Sequence, residues 1–208
     1  MKNNLIKTAV LVSGGGTNLQ ALIDACKNGV IKSCEISLVI SSNPDAYALK
    51  RAFDAKIPAL SIPNADIMDT EKEIIETLEK HNIELIVLAG FMTILSKNFT
   101  KKYKDRIINV HPSLIPSFCG KGFYGLKVHE AALKKGVKVT GATVHFVNEI
   151  PDGGKIIMQK AVKVLDSDTP KTLQKRVMRL AEWQILPQAV EMVSKNLLSE
   201  RENKDGCI

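Results

Sequence analysis

Three short stretches of this chain hold residue types whose spacing could support chemistry. The first, Ser13-Gly-Gly-Gly-Thr-Asn18, is a glycine turn directly ahead of a helical pattern. Bare backbone N–H groups and the positive end of a helix meet there, which suits an anion, a phosphate above all. No Gly-Lys-Ser/Thr follows, so the Walker pattern fails. The dinucleotide fingerprint fails as well, because Leu19 stands where its third glycine belongs and the second strand ends in Ser41-Ser42 without an acid. A monophosphate therefore fits this turn better than a nucleotide.

The second stretch is Asn109-Val110-His111, where strand alternation turns an amide and an imidazole toward one side at a carboxyl strand end. Pro112 stiffens the exit. An uncharged donor and a titratable group thus converge, and in open α/β sheets ligands bind beyond the carboxyl strand ends, where the glycine turn also belongs. The third is Asp152-Gly153-Gly154, whose glycines let backbone and carboxylate come close to a substrate. Each has a plainer reading too: a turn that merely joins strand to helix, a hydrogen-bonded strand-end histidine, a turn aspartate.

Among the remaining histidines, His145 shares a strand face with Thr143 and Val147, which suits a core or supporting role, while His81 and His129 sit on expected helices among charged neighbours and read as solvated. Cys26, Cys34, Cys119 and Cys207 show no Cys-x-x-Cys spacing and no histidine pairs at zinc intervals. Reduced thiols in a cytoplasmic protein, with no metal, are the expectation.

Positioning these groups falls to an alternation of elements. Strands are expected over residues 8–13, 35–41, 59–62 and 84–89, with helices over 18–26, 45–56 and 69–81 between them. The uninterrupted apolar strands suit a sheet covered on both faces. A short helix over 96–104, a strand over 106–110 and a loop rich in proline and glycine lead to a helix over 126–135, closed by Gly136. Longer, partly antiparallel strands follow over 137–147 and 155–165. From Thr169, with Pro170 at the first helical position, one long closing helix is expected, kinked or split by Pro187 and fraying from residue 199. The expected fold class is α/β: a doubly wound, mostly parallel sheet with an antiparallel C-terminal part, one domain over 1–198 and a polar tail over 199–208.

With 29 basic and 22 acidic residues, the 208-residue chain carries +7, which attracts anions. Lys97, Lys101, Lys102, Lys104 and Arg106 cluster without interleaved aromatics, and aromatics are only 5% of the chain, so nucleic acid recognition has little support. No apolar run approaches the ~18 residues of a membrane span, and the first residues are too short and charged for a secretory signal.

Taken together, Ser13-Gly-Gly-Gly-Thr-Asn-Leu-Gln20, Leu88-Ala-Gly-Phe-Met92, Asn109-Val-His-Pro-Ser-Leu-Ile-Pro116 and Asp152-Gly-Gly154 resemble the phosphoribosylglycinamide formyltransferases, a folate-dependent family of purine synthesis. The resemblance covers nearly the whole chain and implies a Rossmann-like formyltransferase fold. The Asn-x-His-Pro-Ser-Leu-x-Pro motif is shared with methionyl-tRNA formyltransferase and formyltetrahydrofolate hydrolase. The former would add a C-terminal domain and the latter an N-terminal regulatory domain, for which 208 residues leave no room.

The resemblance further implies that Asn109, His111 and Asp152 are the catalytic trio. Gly16, Thr17 and Asn18 would hold the phosphate of glycinamide ribonucleotide, and Glu182 would contact the same substrate. Met92, Thr93, Ile94 and Leu95 with Asn148, Glu149, Ile150 and Pro151 would line the pocket for the co-substrate 10-formyltetrahydrofolate. Thr93 stands where many members have arginine, and Lys127 where histidine is common. The implied partners are these two small molecules, with neither nucleic acid nor membrane, the enzyme acting in the cytoplasm as a monomer or homodimer. An amine attacking a formyl carbon puts negative charge on oxygen and positive charge on nitrogen. A protonated His111 and the Asn109 amide would stabilise the oxyanion, each such donor being worth ~3 to 4 kcal/mol. Asp152 would favour the imidazolium and relay the proton, a role worth ~10² to 10⁴ in rate.

Overall fold

Residues 6–12 are mostly apolar and, Lys7 apart, buried, the mark of a strand sandwiched between helices. This is β1 (Ile6–Val12) of a computed structural model that describes residues 5–63 and 66–205. Two compact units make up the described chain: one holds the residues up to Leu95 and those from Pro187 onward, the other residues 96–186.

In the first unit, α1 (Thr17–Lys27), β2 (Cys34–Ser41), α2 (Tyr47–Asp54), β3 (Ala59–Ser61), α3 (Ile67–Lys80) and β4 (Leu85–Leu88) follow β1. The strands lie in the order β3-β2-β1-β4, all parallel. Leu19, Leu22 and Ile23 recur at helical spacing and bury one face of α1, and Gly29, at φ +69°, lets the chain leave it. The helix expected from residue 69 starts two residues earlier. Asp66, rather than Asp69, caps it, accepting from the N–H groups of Met68 (2.8 Å) and Asp69 (3.3 Å), a bond set worth ~1 kcal/mol.

The second unit contains α4 (Lys97–Lys102), β5 (Ile107–His111), α5 (Leu126–Lys135), β6 (Val139–Phe146), β7 (Ile156–Lys163) and α6 (Pro170–Val177). Its strands run β5-β6-β7, both pairs antiparallel, with Asn109 opposite His145 and His111 opposite Thr143. The expected helix over 126–135 is observed with those bounds, Gly136 closing it at φ +73°. His129, expected in solvent, is fully enclosed instead. Its charged sequence neighbours Lys127 and Glu130 turn outward while His129 shares the inward face with Val128 and Ala132, so helical spacing overrides local composition.

Thr169 and Thr172 form a capping box at the start of α6, with Pro170 at the first turn. The long helix is then interrupted by a π segment, Met178–Glu182, before α7 (Trp183–Asp205) resumes. The break thus precedes Pro187. A proline has no N–H for the carbonyl four residues back and crowds it, and that carbonyl belongs to Trp183, immediately after the wide turns. The helix also continues over residues 199–205, where fraying is expected from composition. Arg201 pairs with Glu84 there, whose Oε1 also accepts from the Lys7 N–H at 3.2 Å. Cys26, Cys34 and Cys119 are free thiols, and Cys207 lies outside the described residues.

Candidate active site

Asn109 and His111 leave β5 on the same side, as alternation requires. Antiparallel pairing sets His145 of β6 across from Asn109, and the amide Nδ2 lies 3.2 Å from Nε2 of that ring. His145 Nδ1 lies 2.7 Å from the Phe146 carbonyl, which accepts its N–H and leaves Nε2 free to accept from Asn109. The loop from β6 to β7 then brings in Asp152. Asn148 Oδ1 accepts from the Ile150 N–H at 2.9 Å, and the Gly153 N–H donates to the Ile150 carbonyl at 2.9 Å. A Cβ on Gly154 would stand 1.7 Å from the Phe146 carbonyl oxygen, so only glycine permits so tight a return.

Asp152 sits between two imidazoles. One carboxylate oxygen, Oδ2, is 3.5 Å from His111 Nδ1 and accepts from the Gly120 N–H at 2.8 Å; the other, Oδ1, is 3.5 Å from His145 Nε2. Burial pushes the Asp152 carboxyl up, but the adjoining His145 ring, the charge available to His111 and the Gly120 N–H together hold it below its ordinary value. Asp152 is therefore ionised at neutral pH. Burial acts in the opposite sense on His111, and it outweighs the upward pull of Asp152 and of the Phe118 carbonyl, so the imidazole titrates below the ordinary histidine range. His111 Nε2 lies 2.9 Å from that carbonyl. The resting ring is thus neutral, with its N–H on Phe118.

Thr143 holds the corner after His111. Its hydroxyl donates to the Ser113 carbonyl at 2.7 Å and accepts from the Ile115 N–H at 3.1 Å, fully buried. Glu182 is also buried, at the last residue of the π segment. Lys97 and Lys101 of α4, with Lys104 just beyond it, line a cavity of about 380 Å³ together with Lys155 and Asn148 of the β6–β7 loop.

The glycine turn belongs to the first unit. Gly16 begins α1 in the left-handed region at φ +68°, with no side-chain cap on the helix, and a Cβ there would stand 2.7 Å from the Ala48 Cβ. No N–H of Gly14, Gly15, Gly16 or Thr17 has a protein acceptor among the described residues. Asn18 is buried in the first turn. The turn is braced from below: the Met92 N–H donates to Ser13 Oγ at 2.9 Å, and the Ser13 and Ser42 hydroxyls share a hydrogen bond of 2.6 Å. Beyond that brace Met92 and Ile94 are exposed, Thr93 is half-buried and Leu95 is buried. In the second unit Ile150, with Glu149 and Pro151, is exposed on its loop.

Of the residues singled out from sequence, the structure brings Asn109, His111 and Asp152 together, with His145, expected in a core or supporting role, between Asn109 and Asp152. Reasoning from sequence misses Phe118 and Gly120, which act through main-chain groups. Gly120, at φ +84°, is the one trace of them in the sequence. Among the described residues no group of three or more His, Cys, Asp or Glu side chains could hold a metal ion, and no helix is long and apolar enough to cross a membrane.

An α/β chain with a glycine turn after its first strand and an Asn-His-Asp constellation after its later ones has the attributes of an acyl-transfer enzyme. The chain belongs to the formyl transferase family, whose sequence profile matches residues 6–190. It is 38% identical over 200 residues to the phosphoribosylglycinamide formyltransferase of Haemophilus influenzae, an alignment spanning 95% of this chain and 91% of that one. It is 42% identical over 204 residues to the human trifunctional purine biosynthetic protein adenosine-3, of which it spans only 20%. Among solved structures, glycinamide ribonucleotide transformylase 1 from Symbiobacterium toebii superposes with a TM-score of 0.86 at 37% identity, covering 94% of this chain and 90% of that one.

Proposed function

We propose that this chain is a phosphoribosylglycinamide formyltransferase, which moves the formyl group of 10-formyltetrahydrofolate onto the amine of 5'-phosphoribosylglycinamide in de novo purine biosynthesis. The observation that carries this reading is an ionised Asp152 facing His111 and His145, 3.5 Å from each, beside the Asn109 amide. The similarity to formyltransferases of nearly equal length supports the choice of acceptor.

The substrate amine attacks the formyl carbon, forming a C–N bond and moving the carbonyl electron pair onto oxygen. Asn109 spends one N–H on His145 and keeps the other for that oxyanion, a donor worth ~3 to 4 kcal/mol. Asp152 accepts the amine proton through a water and hands it to Nδ1 of His111, where the restored carboxylate stabilises the imidazolium, and the Nε2–H of that ring turns to the oxyanion once the Phe118 carbonyl gives way. Collapse breaks the bond to folate N10, which leaves with that same proton, returned from His111 through Asp152 and water, so that the ring is neutral again. No step calls for a metal or an enzyme-bound acyl group.

Gly16, Thr17 and Asn18 hold the substrate phosphate in this reading, and Glu182 a further part of the same molecule. Met92 to Leu95 and Asn148 to Pro151 receive the folate. Residues 1–198 act as one formyltransferase domain, in the cytoplasm, as a monomer or homodimer without nucleic acid or membrane partners. Incubating the purified chain with both substrates, and omitting each in turn, tests the reaction: formylated product should require both, and formate released without the ribonucleotide would overturn the assigned acceptor. Asp152→Asn and His111→Ala should each cost about 10²-fold or more in turnover while ribonucleotide affinity largely survives.

A further inference from the structure

Three consecutive carbonyl oxygens of the glycine turn are all drawn onto protein donors. The Gly14 carbonyl accepts from the Ala48 N–H at 3.1 Å and the Gly16 carbonyl from the Gln20 N–H at 2.9 Å. Between them the Gly15 carbonyl accepts from a side chain, Nε of Arg51, at 2.8 Å. A carbonyl turned into the cradle would repel an anion, so fixing all three elsewhere is what leaves the N–H groups of Gly14 to Thr17 for a ligand.

Two of these three anchors are main-chain bonds at the start of a helix, and the central one is not. Arg51 is held for that task. Its Nη1 donates to Gln20 Oε1 at 3.0 Å, Gln20 Nε2 in turn donates to Asp24 Oδ1 at 2.9 Å, and the guanidinium lies 5.0 Å above the Tyr47 ring centre. Its Cδ passes 3.3 Å from where a Cβ on Gly16 would stand, so the positive charge rests beside the turn without occupying it.

We propose that Arg51 is a positioning residue for binding of a phosphate monoester: it orients the Gly15–Gly16 peptide so that the Gly16 N–H faces the anion, and adds a fixed positive charge at the rim. This rests on reading the turn as the seat of the substrate phosphate. Arg51→Ala should raise the KM for glycinamide ribonucleotide about tenfold or more, with kcat at saturation and the KM for the folate little changed. Gln20→Leu, which frees the guanidinium at one end only, should give a smaller rise. The dephosphorylated riboside should be formylated with the same KM by wild type and Arg51→Ala, and millimolar guanidinium chloride should restore ribonucleotide binding to Arg51→Ala.

Thermal protection by inorganic phosphate separates the two levels of the claim. Wild type unprotected by phosphate overturns the reading of the turn. Wild type protected and Arg51→Ala protected equally overturns the role of Arg51. Equal loss of ribonucleotide and riboside binding in Arg51→Ala also overturns it, since that would report general damage to α1 and α2.

Discussion

Nδ1 of His111 and Oδ2 of Asp152 stand 3.5 Å apart, while the Gly120 N–H reaches the same oxygen at 2.8 Å. A neutral His111 donating from Nε2 to Phe118 turns a lone pair on Nδ1 toward a carboxylate. The contact becomes attractive only when a proton enters it. His111 is therefore expected to titrate below an ordinary histidine, and Asp152→Asn to lower it further by removing the charge that favours the imidazolium. Titration of the ring followed by 15N NMR in both proteins checks this, and an upward movement in the variant would contradict the assignment.

Gly16→Ala should both destabilise the protein and abolish phosphate protection. The new Cβ would meet the Ala48 Cβ at 2.7 Å and the Ala48 Cα at 2.8 Å, in a left-handed backbone that alanine adopts at a cost of about 1 to 2 kcal/mol. Gly14→Ala is the control, because nothing lies within 4 Å of a Cβ there. Urea midpoints with and without phosphate should separate the two variants clearly.

How much of this was legible in the sequence follows from the range of each interaction. Asn109 and His111 could be read because alternation along one strand is local, and the helix over 126–135 because its glycine stop is local too. The pairing of Asn109 with His145 depends on an antiparallel register across 36 residues, which no periodicity within either strand specifies. Phe118 and Gly120 contribute only main-chain groups, and side-chain types do not encode where those point. His129 misled because its sequence neighbours are charged. Pro187 announced a break, but the helix departs from α geometry upstream, at Met178–Glu182, and runs through the proline itself.

Asp168 should be a measurable stabiliser. Arg176 grips both carboxylate oxygens, the Leu165 N–H donates to Oδ2 at 2.8 Å and the Thr172 hydroxyl to Oδ1 at 3.0 Å. The Arg176 hydrogen bond, aided by the other donors, pulls the carboxyl down to about 2. A depressed carboxyl stabilises the fold above its unfolded value and loses that contribution as pH falls through the folded one. Asp168→Asn should cost about 1 to 2 kcal/mol at pH 7, and the gap should close as pH drops from about 4 toward 2. A gap that persists at low pH in denaturant titrations would show that charge is not the cause.

His129 should behave in the opposite sense. The ring is fully enclosed on α5, and neither nitrogen has a hydrogen-bond partner among the described residues. Burial, with a lesser contribution from His111, pushes its pKa down to about 4. Between that value and the ordinary one, the unfolded chain binds a proton that the folded chain refuses, so stability should fall as pH drops from about 6.5 toward 4, by at most about 3 kcal/mol. Replacing the ring with an apolar side chain removes both the unpaired nitrogens and the linked proton, and such exchanges are close to neutral or stabilising when volume is kept. His129→Leu should therefore match or exceed the wild type in urea at pH 7.5 and lose much less on acidification to pH 5. Equal acid losses in the two proteins would show that the buried ring is already satisfied and does not drive the pH dependence.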